Sequence, residues 1–300
     1  MPSISAKLGV GLLLVVAYAL TVSRMLWPFL LSVAAASAYA NPLATTSRPL
    51  IVAVVPQFTA LQIHKDWTPF LERVSLDSGV LLVLKTYQNI PAFEADVLKG
   101  VPDLAFMNPY HAVMAKHAAG YLPLVRDTKL LTGLLLVRRD SLVRSIKDLS
   151  DAKIAFPSPN AFGASLFMRA LLAEKGGIKI EPNYVETHSN VLRNVILGKV
   201  VAGGTVESAF QRESVAVIEQ LRVIYETPGF APHPLVVHPR VTAKQRKAVT
   251  SAILRLNDDA SSATLLRAVQ MAKPLAADYA RDYRPLELLK LEKHLVLEKE

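Results

Sequence analysis

Cysteine is absent from all 300 residues, which excludes disulfides, thiolate metal ligands and cysteine nucleophiles but identifies no compartment. Acidic residues are absent from the first forty positions, where Lys7 and Arg24 carry the only charges. No long apolar run is found there either: residues 8–20 and 25–36 are each shorter than the roughly 17–25 residues of a spanning helix. What is present has the order of an export signal. Arg24 supplies a basic start, residues 25–36 an apolar segment, and Ala38-Tyr39-Ala40 the small residues that signal peptidase requires ahead of Asn41-Pro42. Cleavage after Ala40 and a periplasmic location are expected, with translation beginning near residues 22–25. A membrane anchor over residues 8–23 is the alternative.

Several chemistries lack their parts. There is no GxxxxGK[ST] or GxSxG, and no strand-linked GxGxxG, since Gly9 and Gly11 lie in the leader; nucleotide hydrolysis and serine-hydrolase chemistry are unsupported. None of the seven histidines forms an i, i+4 pair around a glutamate, so no metal site is expected. No cofactor motif occurs, and no catalytic residue is assigned. Basic residues outnumber acidic ones 34 to 25 but are scattered, without the arginine-rich stripe and stacking aromatics of a nucleic-acid binder. A moderate positive surplus suits a small anionic ligand.

From Leu50 onward, short β-branched runs alternate with amphipathic helical spacing, the pattern of βαβ units. Strands are expected at 50–55, 80–84, 103–106, 133–137, 153–156 and 222–225. Helices are expected where Trp67, Phe70, Leu71 and Val74, then Ile90, Phe93, Val97 and Leu98, fall on one face, and again over 161–175, 191–197 and from Val249. The segment after that helix reads as helical and charged. Arg138-Arg139-Asp140 reads as a crossover into a second lobe, and the proline-bearing stretch 228–234 as the return. The expected architecture is α/β, with lobe 1 formed by 41–137 and 238–300, lobe 2 by 138–237, and a ligand cleft between.

In such sheets ligands bind beyond the carboxyl ends of strands, at helix starts. Four strand-to-helix loops therefore supply the candidates. The first holds Gln57 and Phe58, and the second Asn108, Pro109 and Tyr110. In the third, Asn160 precedes Ala161, Phe162, Gly163 and Ser165; Asn160 is suited to cap the helix while the small residues leave its free amides open to an anion. The fourth opens at His188, where a protonated imidazole would face an oxyanion. Thr205, after a glycine pair, completes the set. An ordinary capped helix, a plain turn and a core histidine explain the same residues without a ligand.

With these residues in view, the chain resembles the phosphate/phosphite/phosphonate-binding family of ABC importer receptors over most of 48–260. The likeness rests on Lys65-Asp66-Trp67-Thr68-Pro69-Phe70-Leu71, Gly100, Asp103-Leu104-Ala105-Phe106, Pro159-Asn160, His188 and Pro232-His233-Pro234-Leu235-Val236-Val237. The resemblance implies a type II periplasmic-binding fold that closes over a small oxyanion, His188 contacting it, and a monomer that delivers it to an inner-membrane permease. A sensory module presenting its ligand to a membrane kinase is the alternative. Departures are specific. The family's Ser-Thr-Ser run reads Ala161-Phe162-Gly163 here, Ile90 and Met107 stand nearest its ligand-facing tyrosines, and Ala202-Gly203-Gly204-Thr205 offers no acid for an aminoalkyl tail. Each lost hydrogen bond to a charged ligand is worth about 1.5–3 kcal/mol, enough to change affinity or ligand class.

Overall fold

Two β-sheets organise the chain in the computed structural model, which describes residues 48–174 and 176–296. The expected leader and its cleavage after Ala40 lie outside the described residues. The first sheet contains β1 (Leu50–Val54), β2 (Leu82–Lys85), β3 (Leu104–Phe106), β4 (Leu122–Asp127), β10 (Pro234–Val237) and β11 (Pro274–Ala276), in the order β11-β4-β10-β3-β1-β2. The second contains β5 (Gly133–Arg138), β6 (Ala152–Phe156), β7 (Ile180–Tyr184), β8 (Ala202–Val206) and β9 (Leu221–Glu226), in the order β7-β6-β8-β5-β9.

The sheets are built alike. Each has a parallel trio, β2-β1-β3 or β7-β6-β8, flanked by an antiparallel strand from the far side of a crossover: β10 beside β3, β5 beside β8. β1 and β3 are buried on both faces, as continuous apolar runs require. Helix α1 (Ala60–Ser78) covers the first sheet through Trp67, Phe70, Leu71 and Val74, begins at the Thr59 cap and stops at Gly79, whose φ of 67° is left-handed. Helices α2 (Ile90–Leu98) and α3 (Pro109–Ala119) follow β2 and β3. In the second sheet α4 (Phe167–Glu174) follows β6, and α5 (His188–Ile196) follows β7. Helix α6 (Ala243–Arg255) returns to the first sheet's side after β10.

The crossovers differ from their expected positions. Gly133–Arg138 belongs wholly to the second sheet, paired with β8 and β9, so the chain crosses at 128–132. Arg138 through Asp140 instead end β5, with Arg138 paired to Asp140. Likewise Pro234–Val237 is already a strand of the first sheet, and the return is confined to 227–233. The two crossovers pair with each other through Leu131 and Phe230, whose N–H groups donate reciprocally to each other's carbonyls at 2.8 and 3.0 Å. The segment after α6 is also not all helical, because 274–276 pairs with β4.

Two glycines fix how the second sheet meets the loop that follows β6. A Cβ on Gly204 of β8 would lie 2.1 Å from the Ala164 carbonyl oxygen and 2.6 Å from the Phe156 ring, and one on Gly133 of β5 would lie 2.2 Å from the Gly163 carbonyl oxygen. Neither backbone obstacle can rotate away. Gly204→Ala is therefore expected to destabilise the protein by about 2–3 kcal/mol, at the upper end of overpacking costs, read as a lower midpoint in urea unfolding. An unchanged midpoint would show that the Ala164 turn is free to move.

Candidate functional site

The carboxyl ends of β1, β3, β6, β7 and β8 all face the space between the sheets, and each hands the chain to a loop bordering it. Two spaces result. The outer one, about 580 Å³, opens between Phe58, Thr59, Gln62 and Tyr87 on one side and Glu186, Thr187, Ser189, Arg193, Arg212 and Glu213 on the other. The inner one holds only about 20 Å³, lined by Val55, Gln57, Ile90, Asn108, Ala161, Phe162, Gly163, Ala164, His188, Val206 and His233. That is room for a single water-sized sphere.

Six expected site residues converge on the inner cavity: Gln57, Asn108, Ala161, Phe162, Gly163 and His188. The loop after β6 builds one wall. There Phe162–Leu166 form a π-helical turn ahead of α4, in which the Ser165 and Leu166 N–H groups both donate to the Ala161 carbonyl. The N–H groups of Phe162, Gly163 and Ala164 precede the first intrahelical bond and are the orphan donors of this helix start. They lie on the segment that lines the cavity.

His188 is placed by α5, which starts with the Thr187 hydroxyl accepting the Asn190 N–H. It is buried, and its Nδ1 lies 2.8 Å from the Thr205 hydroxyl. That hydroxyl has no other partner among the described residues, so the arrangement that uses its proton has Thr205 donating to Nδ1 and the proton of His188 on Nε2. Burial pushes the His188 pKa down to about 4. The protonated imidazole expected from the sequence is thus corrected: His188 is a neutral donor. Thr205 does not line the cavity; it sets the tautomer of the residue that does.

Other expected site residues meet protein groups. Asn160 does not cap the helix, since Ala161 occupies that position. Its side-chain amide is held instead by the chain's own C-terminal segment, Nδ2 donating to the Val296 carbonyl at 2.8 Å and to Glu94 at 3.1 Å, and Oδ1 accepting from the Val296 N–H at 3.0 Å. Tyr110 donates its hydroxyl to Glu292 and lies stacked on Phe162, 6.2 Å between centroids. Ser165 is buried and accepts from Arg169. Phe58 lines the outer space, under the Arg212 guanidinium at 4.5 Å. Asn108 reaches the cavity with both ends engaged, Oδ1 accepting from the His111 N–H and Nδ2 donating to the Asn160 carbonyl. For Asn160 and Tyr110 the origin is the same: a neighbour distant in sequence supplies the partner that a ligand was expected to supply.

His233 was not among the expected site residues, although it sits within the Pro-His-Pro stretch. It is 7 % exposed, stacked on Phe106 at 5.5 Å, and lines both the inner cavity and a hinge-side cleft of about 230 Å³. Burial, with His188 and His111 nearby, pushes its pKa down to about 3. Two prolines around one histidine at a crossover were the available signal.

The two sides of the cleft are in contact. Arg212, beyond β8, pairs with Asp66 of α1 at 2.6 Å and donates to the Ala268 carbonyl; Asn160 and Asn108 join across the inner cavity. These contacts hold the two sides together. Among the described residues no group of histidines and acids could hold a metal ion, and no helix is long and apolar enough to cross a membrane.

Comparison with known proteins places this geometry. Among curated proteins none matches the chain significantly. A binding-protein component of an ABC phosphonate transporter from Pseudomonas aeruginosa superposes with a TM-score of 0.72 at 16 % identity, covering 81 % of this chain and 86 % of that one. PhnD1 from Prochlorococcus marinus, solved in complex with methylphosphonate, gives 0.73 at 16 %, covering 82 % and 98 %. XAC2383 from Xanthomonas citri, solved with chloride, gives 0.70 at 15 %, covering 83 % and 100 %. These likenesses establish the type II periplasmic-binding fold. The model of the family described as "ABC transporter, phosphonate, periplasmic substrate-binding protein" matches residues 52–283, and the chain belongs to that family of transport receptors.

Proposed function

We propose that this receptor captures a small phosphorus oxyanion in the inner cavity between its sheets and passes it, in the periplasm, to an inner-membrane permease. The carrying observation is the convergence, from opposite sheets, of the Gln57 amide and the His188 imidazole on a cavity bordered by the orphan amides of 162–164. Neutral hydrogen bonds and the positive start of a helix are the means by which such a site holds an anion without a lysine or arginine. The missing Ser-Thr-Ser hydroxyls leave main-chain amides as the chief donors of that loop. Methylphosphonate is bound by PhnD1 from Prochlorococcus marinus, and a ligand of that size fits the reading: the 20 Å³ cavity of the closed form must widen for it, through rotation about the paired crossovers.

Export by cleavage after Ala40, the division into two lobes at 128–132 and 227–233, and a monomeric receptor belong to the same reading. The experiment is isothermal calorimetry of the mature protein with phosphate, phosphite and methylphosphonate. Heat with at least one, at micromolar affinity or better, is expected. Silence with all three would remove the ligand assignment while leaving the fold intact.

A further inference from the structure

Every charged side chain stands outside the inner cavity. Its lining has four polar side chains, Gln57, Asn108, His188 and His233, and no lysine, arginine, aspartate or glutamate. Asn108 is spent on His111 and Asn160, and His188 presents Nε2–H. Gln57 and His233 are more than nine-tenths buried, and neither side chain has a hydrogen-bond partner among the described residues. Their polar atoms bond to no described protein group, and two such side chains on the wall of one cavity point to a ligand that completes them.

The two kinds of unpaired group make different demands. The His188 Nε2–H, the Gln57 amide nitrogen and the main-chain amides of 162–164 are donors, suited to oxyanion oxygens. Acceptors stand beside them: the Gln57 amide oxygen, and the one bare nitrogen that the neutral His233 imidazole keeps. An acceptor within an anion cavity repels a fully deprotonated oxygen and bonds to a hydroxyl. We propose that the cavity takes its ligand as a singly charged, hydroxyl-bearing oxyanion, a hydrogen phosphonate or its equivalent, with His233 accepting that hydroxyl's proton. The inference rests on the oxyanion reading above and specifies which ionic form is bound.

No other ionisable group facing His233 competes for the role. His188, on α5, is tied to Thr205, and His111, on α3, is tied to Glu94 at 2.5 Å. On the hinge side the Asp127 carboxylate accepts N–H groups of Thr128, Ala272 and Lys273. Lys129 pairs with Glu207, Arg212 with Asp66, and Arg267 donates to Thr264. His233 lies in the return crossover and stacks on Phe106 of the first sheet, so a bond to ligand there would act on the segment about which the cleft closes.

The test is the pH dependence of methylphosphonate affinity from pH 6 to 9. The imidazoles of His188 and His233, with pKa values near 4 and 3, stay neutral throughout, so the slope reports the ligand's own ionisation. If only the monoanion binds, Kd is flat below the ligand's second pKa and weakens about tenfold per pH unit above it, following the shrinking competent fraction. Affinity that is flat or strengthens with pH would overturn the inference while leaving oxyanion binding in place; absence of heat at every pH would remove both. His233→Phe, which keeps a ring against Phe106, is expected to weaken binding at least tenfold at pH 6 and to abolish most of the pH slope. His233→Gln, which restores an acceptor oxygen, is expected to retain the slope. A slope unchanged in His233→Phe would assign the selection to another group.

Discussion

Phe162→Ala is expected to lower the stability of the protein by about 3–5 kcal/mol, the usual range for truncating a buried phenylalanine. The ring is 1 % exposed and lies among Tyr110, Phe167 and Phe230, at centroid distances of 6.2, 6.0 and 5.1 Å. These neighbours come from three places: α3 beside the first sheet, α4 beside the second, and the return crossover. The cluster therefore joins both sides of the cleft and the hinge around one side chain, and its geometry gives little room for collapse into the void. The same substitution removes the bulkiest side chain lining the inner cavity, so the preferred ligand should shift from methylphosphonate toward longer alkylphosphonates as stability falls. Urea unfolding and calorimetry with a methyl-to-butyl series check the two halves separately. A stable variant with an unaltered preference would mean that Phe162 neither fills the core nor limits the site.

That residue shows where sequence reading stops. The sequence places Phe162 at a helix start where the family carries a hydroxyl, and this suffices to mark it as a departure. It does not reveal that Tyr110 lies parallel to it or that Phe230 returns from the second crossover to meet it, since those contacts join segments some 50–70 positions apart. The parallel trio of the first sheet was legible, and β6 of the second with it, because covered strands have a strong local signature: β1 and β3 are runs of apolar residues, and β6 is apolar apart from Lys153. β8 was not, because Ala-Gly-Gly-Thr-Val has little strand propensity; it is a strand because Gly203 and Gly204 admit helix α5 and the Ala164 turn against its two faces. β7, with a proline at 182, reads as a loop and lies at the sheet edge, where the missing N–H is tolerated. The crossover was misplaced because the polar triplet 138–140 resembles a break, while 128–132 carries apolar Leu130 and Leu131.

The site divides along the same line. Loop position alone singles out Gln57, His188 and residues 162–164, and the structure brings them to one inner cavity because the fold puts these strand-to-helix loops beside the cleft. The ionic state of His188 was misjudged because it depends on burial and on Thr205, seventeen residues away. Asn160 and Tyr110 were misjudged because their partners, Val296 and Glu292, follow at separations of 136 and 182 residues, and no local pattern announces that a C-terminal segment will reach back into the cleft.

That segment carries the other large expected effect. Leu291 is buried in the core beside the first sheet, and from it residues 292–296 run along the seam between the sheets. Glu292 accepts from Tyr110, Lys293 and His294 pair with Glu174 at 2.7 Å, the His294 carbonyl accepts from Arg169, and Val296 exchanges two hydrogen bonds with Asn160. Tyr110 belongs to the first sheet's side; Asn160, Arg169 and Glu174 belong to the second's. The segment thus fastens the two sides of the cleft where the crossovers do not. With the hydrogen bonds worth about 1 kcal/mol each net, ending the chain at Lys290 should cost several kcal/mol of closed-form stability, and a two-state cleft biased by that much changes its majority state. The truncated protein is expected to show a larger radius of gyration in small-angle scattering and faster ligand association in stopped flow than the full chain. Val296→Pro, which deletes the N–H that Asn160 accepts while leaving the carbonyl in place, should move both quantities in the same direction by a smaller amount. If the truncated chain keeps its radius and its association rate, the C-terminal segment is packing without a part in closure.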